Sequence, residues 1–92
     1  MTISYDPNKN QSNIEQRGLN FDRVSDLEWD NAWVYEDQRN EYDEVRYIAY
    51  SMLDERLHFV CFTETGNGIR VISFRKANRR EVKRYEQEIP NR

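Results

Sequence analysis

The sequence predicts a small α+β domain, an antiparallel sheet packed by helices in the order β-α-α-β-β-β-β-α, on three observations. Short apolar runs separated by tight-turn signals fill residues 45–75. Segments with helix-capping residues flank that region on both sides. The chain has 92 residues, of which 37% are hydrophobic and 13% aromatic, enough for one thin core. One domain spanning residues 1–92 is therefore expected.

Each element has a local reason. Residues 3–6 read as a short strand. Asp6 before Pro7 supplies an N-cap and a proline at the first helical position. The helix runs to Arg17, where Gly18 offers a left-handed C-cap, and Ile14 is its only strong apolar anchor. Asn20 caps a second predicted helix in which Phe21, Val24 and Leu27 recur at helical spacing. Residues 32–36 form a candidate strand, 37–43 a polar loop, and 45–53 a longer strand. Asp54-Glu55 reads as a tight turn into an apolar strand at 57–63, and Gly66-Asn67-Gly68 as a hairpin turn. Residues 69–75 complete a three-strand meander. Regular alternation there sends Arg70 and Phe74 to one face, Ser73 and Arg75 to the other. Asn78 caps a final helix carrying Val82, Tyr85 and Ile89 on one side.

Charge is unevenly distributed. The formal net charge is -3, yet the first 68 residues hold 14 acidic and six basic side chains. Between residues 69 and 85 lie Arg70, Arg75, Lys76, Arg79, Arg80, Lys83 and Arg84, opposed only by Glu81. A strand end feeding a helix N-terminus surrounds one concavity with backbone N–H groups and basic side chains, which suits a phosphate. The same residues equally suit a solvated basic face that pairs with the acidic half of the domain. Glu81 can orient these arginines, accept a proton, or keep the cluster from repelling itself.

Composition also narrows the chemistry. Cys61 is the single cysteine, so there is no internal disulfide, and it reads as a buried hydrophobe without the companions of a zinc site. His58 is the single imidazole and has no Cys or Asp at a diagnostic spacing. Phosphate-loop glycines, metal-ligand pairs and a serine-hydrolase elbow are missing, so no metal or organic cofactor is expected. No apolar stretch reaches membrane-spanning length and no secretory leader is visible, so a cytoplasmic location without membrane contact is expected.

Several residues together resemble the BrnT family, ribonuclease toxins of type II toxin–antitoxin modules. They are Tyr5-Asp6, Lys9, Asn13, Gly18 and Phe21, then Arg46-Tyr47-Ile48 and Phe62-Thr63-Glu64, and above all residues 69–77 with Glu81 and Tyr85 after them. The resemblance implies a RelE-like fold and metal-independent cleavage of RNA. It also implies neutralisation by a BrnA-like ribbon-helix-helix antitoxin, with operator DNA bound only through the complex. Carried over by position, it assigns catalysis to Lys9, Arg70, Arg75, Arg79, Glu81 and Tyr85, and RNA binding to Lys76, Arg80 and Lys83. Relatives often carry histidine where this chain has Arg17, and histidine or tyrosine where it has Phe62. Those departures keep open a second reading, a catalytically degenerate RNA- or protein-binding module of the same fold. A lone DNA-binding regulator is disfavoured, because no helix-turn-helix or ribbon-helix-helix pattern is visible.

Overall fold

The alternating apolar runs assemble into one five-stranded sheet. A computed structural model describes residues 1–89, so the last three residues of the domain expected over 1–92 lie outside the described residues. Strands β1 (Thr2–Ser4), β2 (Trp33–Glu36), β3 (Tyr47–Leu53), β4 (Arg56–Glu64) and β5 (Gly68–Lys76) stand in the order β1-β5-β4-β3-β2. Helix α1 (Pro7–Arg17) follows β1, and α2 (Arg79–Glu88) follows β5. The α+β class is as expected. β2 to β5 pair antiparallel, but β1 pairs parallel with β5, so the sheet is mixed. No hairpin joins β1 to β5, so no turn imposes an antiparallel direction on that pair. Thr2 approaches Gly68 so closely that a Cβ there would sit 2.0 Å from the Thr2 carbonyl oxygen, which explains glycine at that register position.

The predicted second helix is a 3₁₀ segment, Phe21–Asp26, followed by a second short one, Trp29–Asn31. Phe21 and Val24 are three residues apart, and a three-residue turn stacks that spacing on one side. Asn20 caps as expected, its side chain accepting the Asp22 N–H at 2.9 Å. In α1 the Asp6 carboxylate accepts from the N–H groups of Asn8 and Lys9, and Gly18 adopts φ 66°. Two asparagines dock this weakly apolar helix. Asn10 accepts the Phe21 N–H at 2.8 Å, and Asn13 donates to the carbonyls of Leu19 and Phe74 at 2.9 and 3.0 Å.

Two apolar layers sandwich the sheet. Phe21, Val24 and Leu27 pack with Ala49, Leu53, Val60, Phe62, Ile69, Val71 and Phe74 on one face. On the other, which α2 covers, Ile48, Tyr50, Leu57, Phe59 and Cys61 meet Ala77 and Tyr85. Fully burying a side chain such as Phe74 is worth about 2 kcal/mol, and these contacts rather than helix propensity hold the layers together. The Asp54-Glu55 turn places two non-glycine residues at φ 50° and 63°, the geometry that matches strand twist in a two-residue hairpin.

A bulge decides which way the basic strand faces. Phe62 pairs with Val71 and Cys61 with Ser73, so Ile72 is an extra residue in β5. Ile69, Val71 and Phe74 consequently lie in one apolar layer while Ile72 packs against the other. Arg70 and Arg75 therefore share the α2 face, and Phe74 points away from both. Regular alternation had separated the two arginines, and the bulge corrects that expectation.

Candidate active site

The strand end and the helix start meet at one ion pair. Asn78 begins α2 with a capping box: its side chain accepts the Glu81 N–H at 2.9 Å, and Glu81 Oε1 accepts the Asn78 N–H at 2.9 Å. That reciprocal cap fixes the Glu81 carboxylate over the end of β5. There Arg75 donates from Nη1 to Oε1 at 2.8 Å and from Nη2 to Oε2 at 3.0 Å. Its guanidinium also lies 4.0 Å from the Phe59 ring centroid, opposite it in the ladder. The Tyr50 hydroxyl donates to Glu81 Oε2 at 2.9 Å.

Electrostatics assigns these groups their states. Burial alone would raise the Glu81 carboxyl. The donors from Arg75, the Asn78 backbone and Tyr50 outweigh it and hold Glu81 at about 2. Tyr50 is pushed well above the usual phenol range, by burial first and then by its bond to Glu81. Glu81 is thus a fixed anion that aims Arg75, and neither partner exchanges protons easily near neutrality. A guanidinium has five N–H donors. Arg75 commits two to Glu81 and one to the Lys76 carbonyl at 3.3 Å, which leaves two for a phosphate.

A second charged group closes on the same face. Asp37 is buried, and Arg39 grips it through two bonds of 2.8 Å while the Tyr42 hydroxyl donates at 3.2 Å. The Arg39 bonds chiefly hold the Asp37 carboxyl down at about 2, against the opposing effect of burial. Arg39 is near enough to act on Arg75, like charge on like. Burial, then Asp37, raises the Cys61 thiol, against the opposite pull of Arg39, Arg46 and Lys9. Cys61 stays a protonated core residue.

The predicted site residues divide. Arg75 and Glu81 are brought into contact. Arg70 shares their face and is exposed, beside Thr63 in the ladder. Arg79, Arg80 and Lys83 are exposed on α2. Lys9 is exposed on α1, with its charge reaching Cys61. Tyr85 is 4% exposed and its hydroxyl donates to the Asn31 carbonyl at 2.8 Å, so it is built into the packing under α2. Lys76 faces the opposite side of the sheet, beside His58. Arg84 lies over the Trp33 ring at 5.4 Å, where Trp33 also stacks on Tyr50.

Sequence reasoning missed Tyr50, Asp37 and Arg39. Tyr50 sits among apolar neighbours on β3 and gives no sign that its hydroxyl crosses the layer. Asp37 and Arg39 carried a usable signal, an acid and a base two apart at the exit of a strand. Among the described residues, no group of three His, Cys, Asp or Glu side chains is placed to hold a metal. A family model for the ribonuclease toxin BrnT of type II toxin–antitoxin systems matches residues 5–81, a span that includes Lys9, Arg70, Arg75, Arg79, Arg80 and Glu81 and stops before Lys83 and Tyr85. No curated protein matches the chain significantly.

Proposed function

The chain belongs to the BrnT family of ribonuclease toxins of type II toxin–antitoxin systems, and on that premise we propose that it cuts RNA without a metal at the α2 face, with Arg75 as the group that stabilises the reacting phosphate. The observation that carries this reading is the Arg75–Glu81 pair, a guanidinium held rigid from one side with two donors to spare. RNA supplies its own nucleophile, the 2′-hydroxyl, whose proton passes to solvent water as the O2′–P bond forms and the P–O5′ bond breaks. The protein's task is therefore to hold the phosphodiester and stabilise the charge on the phosphorane. Arg70 and Arg79 add positive charge around that group. Lys9 serves as the ammonium that protonates the departing 5′-oxygen, since Glu81 is held ionised and Tyr85 is packed beneath α2. Arg80 and Lys83 bind flanking phosphates.

Family membership implies an antitoxin partner and an RNA target. The partner in this proposal is a BrnA-like ribbon-helix-helix protein that covers the exposed arginines and carries the operator-binding surface of the complex. The binding-module reading keeps one observation in its favour: the carboxylate beside Arg75 is too acidic to act as a base. Incubating the purified chain with RNA in EDTA decides between them. Cleavage should persist in the chelator and fall about a hundredfold or more in Arg75→Gln, the loss typical of one transition-state donor. Folded protein that leaves RNA intact establishes the module instead.

A further inference from the structure

A second basic cleft opens on the sheet face away from Arg75. Its volume is about 530 Å³, and Arg17, Arg23, Arg56 and Lys76 line it, with Asp54 as its one carboxylate and His58 in its wall. Four separate parts of the fold deliver those cations: the end of α1, the first 3₁₀ segment, the start of β4 and the end of β5. Arg23 is committed, bonded to Asp26 at 2.9 Å and Asp54 at 3.2 Å. One guanidinium shared by two carboxylates leaves that trio with a single negative charge, outweighed by the other cations of the cleft. Among the described residues, no carboxylate pairs with Arg17, Arg56 or Lys76, and all three are exposed. Three uncommitted cations around one concavity repel each other, and an anion relieves that repulsion.

We propose that this cleft is a phosphate subsite for the RNA chain, separate from the scissile position. It rests on the reading of the α2 face as the cutting site and extends the footprint of the same substrate. Lys76 follows Arg75 in β5, and neighbouring strand residues point to opposite faces. One polynucleotide crossing the end of β5 would place one phosphodiester at Arg75 and another among Lys76, Arg56 and Arg17. His58 contributes a fixed neutral wall. Its Nδ1–H donates to the Arg56 carbonyl at 2.8 Å, its ring packs 5.5 Å from that of Phe74, and burial above all keeps it below its usual pKa. The sequence grouped Lys76 with Arg80 and Lys83, and the fold moves it to this other face.

His58 is the single histidine, so its ring resonances report occupancy of the cleft. A short 2′-O-methyl oligoribonucleotide, which has no free 2′-hydroxyl and cannot be cut, should shift those resonances saturably. In the double variant Arg56→Gln, Lys76→Gln the affinity should fall about tenfold, and the slope of log K against log salt should shallow by about 1.4, roughly 0.7 per lost phosphate contact on a single strand. Arg75→Gln should leave the His58 response in place. That result with cleavage absent from the unsubstituted protein sinks the cutting reading and keeps the subsite. The subsite is overturned if the oligonucleotide binds without moving His58, if the double variant binds unchanged, or if inorganic phosphate shifts His58 and the oligonucleotide does not displace it.

Discussion

At the scale of single residues, Glu81 does more for the structure than for proton transfer. Its carboxyl falls from the ordinary 4.5 to about 2 on folding, because the folded state supplies donors that the unfolded chain lacks. A group whose folded pKa is depressed contributes its full stability above its unfolded pKa. That contribution fades as pH drops through the folded value. Stability should therefore decline between roughly pH 5 and pH 2, with Glu81 responsible for up to about 3 kcal/mol of the loss. Urea unfolding across that range checks it. In Glu81→Gln the decline should be shallower and the starting stability lower, by about 2 kcal/mol, since Arg75 loses a charged partner. An unchanged acid profile in the variant would show that other carboxylates carry the effect.

At the scale of elements, most boundaries were legible because local chemistry wrote them. Asp6-Pro7, Gly18, Asn20 and Asn78 each announced a helix end, and each caps one. The departures arose where tertiary pairing overruled local pattern. No residue near Ile72 signals a bulge, since the extra residue exists only relative to β4. The parallel β1–β5 pair is equally invisible along the chain. The β3–β4 turn was foreseen as tight, but its left-handed residues are Asp54 and Glu55, where glycine or asparagine is usual. Glu55→Gly should stabilise the protein by about 1 kcal/mol by removing that conformational penalty. An increase in the urea midpoint at constant slope tests this, and a decrease would mean that Glu55 makes a contact worth more than the strain.

At the scale of the whole molecule, the acidic half and the basic segment do not simply neutralise one another. Arg75, Arg39 and Arg23 are internally paired, while Arg17, Arg56, Arg70, Arg79, Arg80 and Lys76 face solvent without a salt-bridge partner among the described residues. The sequence showed that the cations were concentrated and, by alternation, that they fall on both sheet faces. It could not show which of them share a face, because the bulge that joins Arg70 to Arg75 and leaves Lys76 opposite exists only relative to β4. Expression of the chain alone should arrest bacterial growth, and co-expression with its antitoxin should restore it. Arg75→Gln should abolish the arrest. Unimpeded growth with folded, unsubstituted protein present would remove the toxin reading.

The surplus residue at Ile72 has an evolutionary corollary. Removing any one of residues 71–73 would straighten β5 into plain alternation and still leave Arg70 and Arg75 on a common side. Elsewhere in the strand a lost codon would turn its neighbours inside out. This short stretch is where the protein's reading frame of faces tolerates a skip.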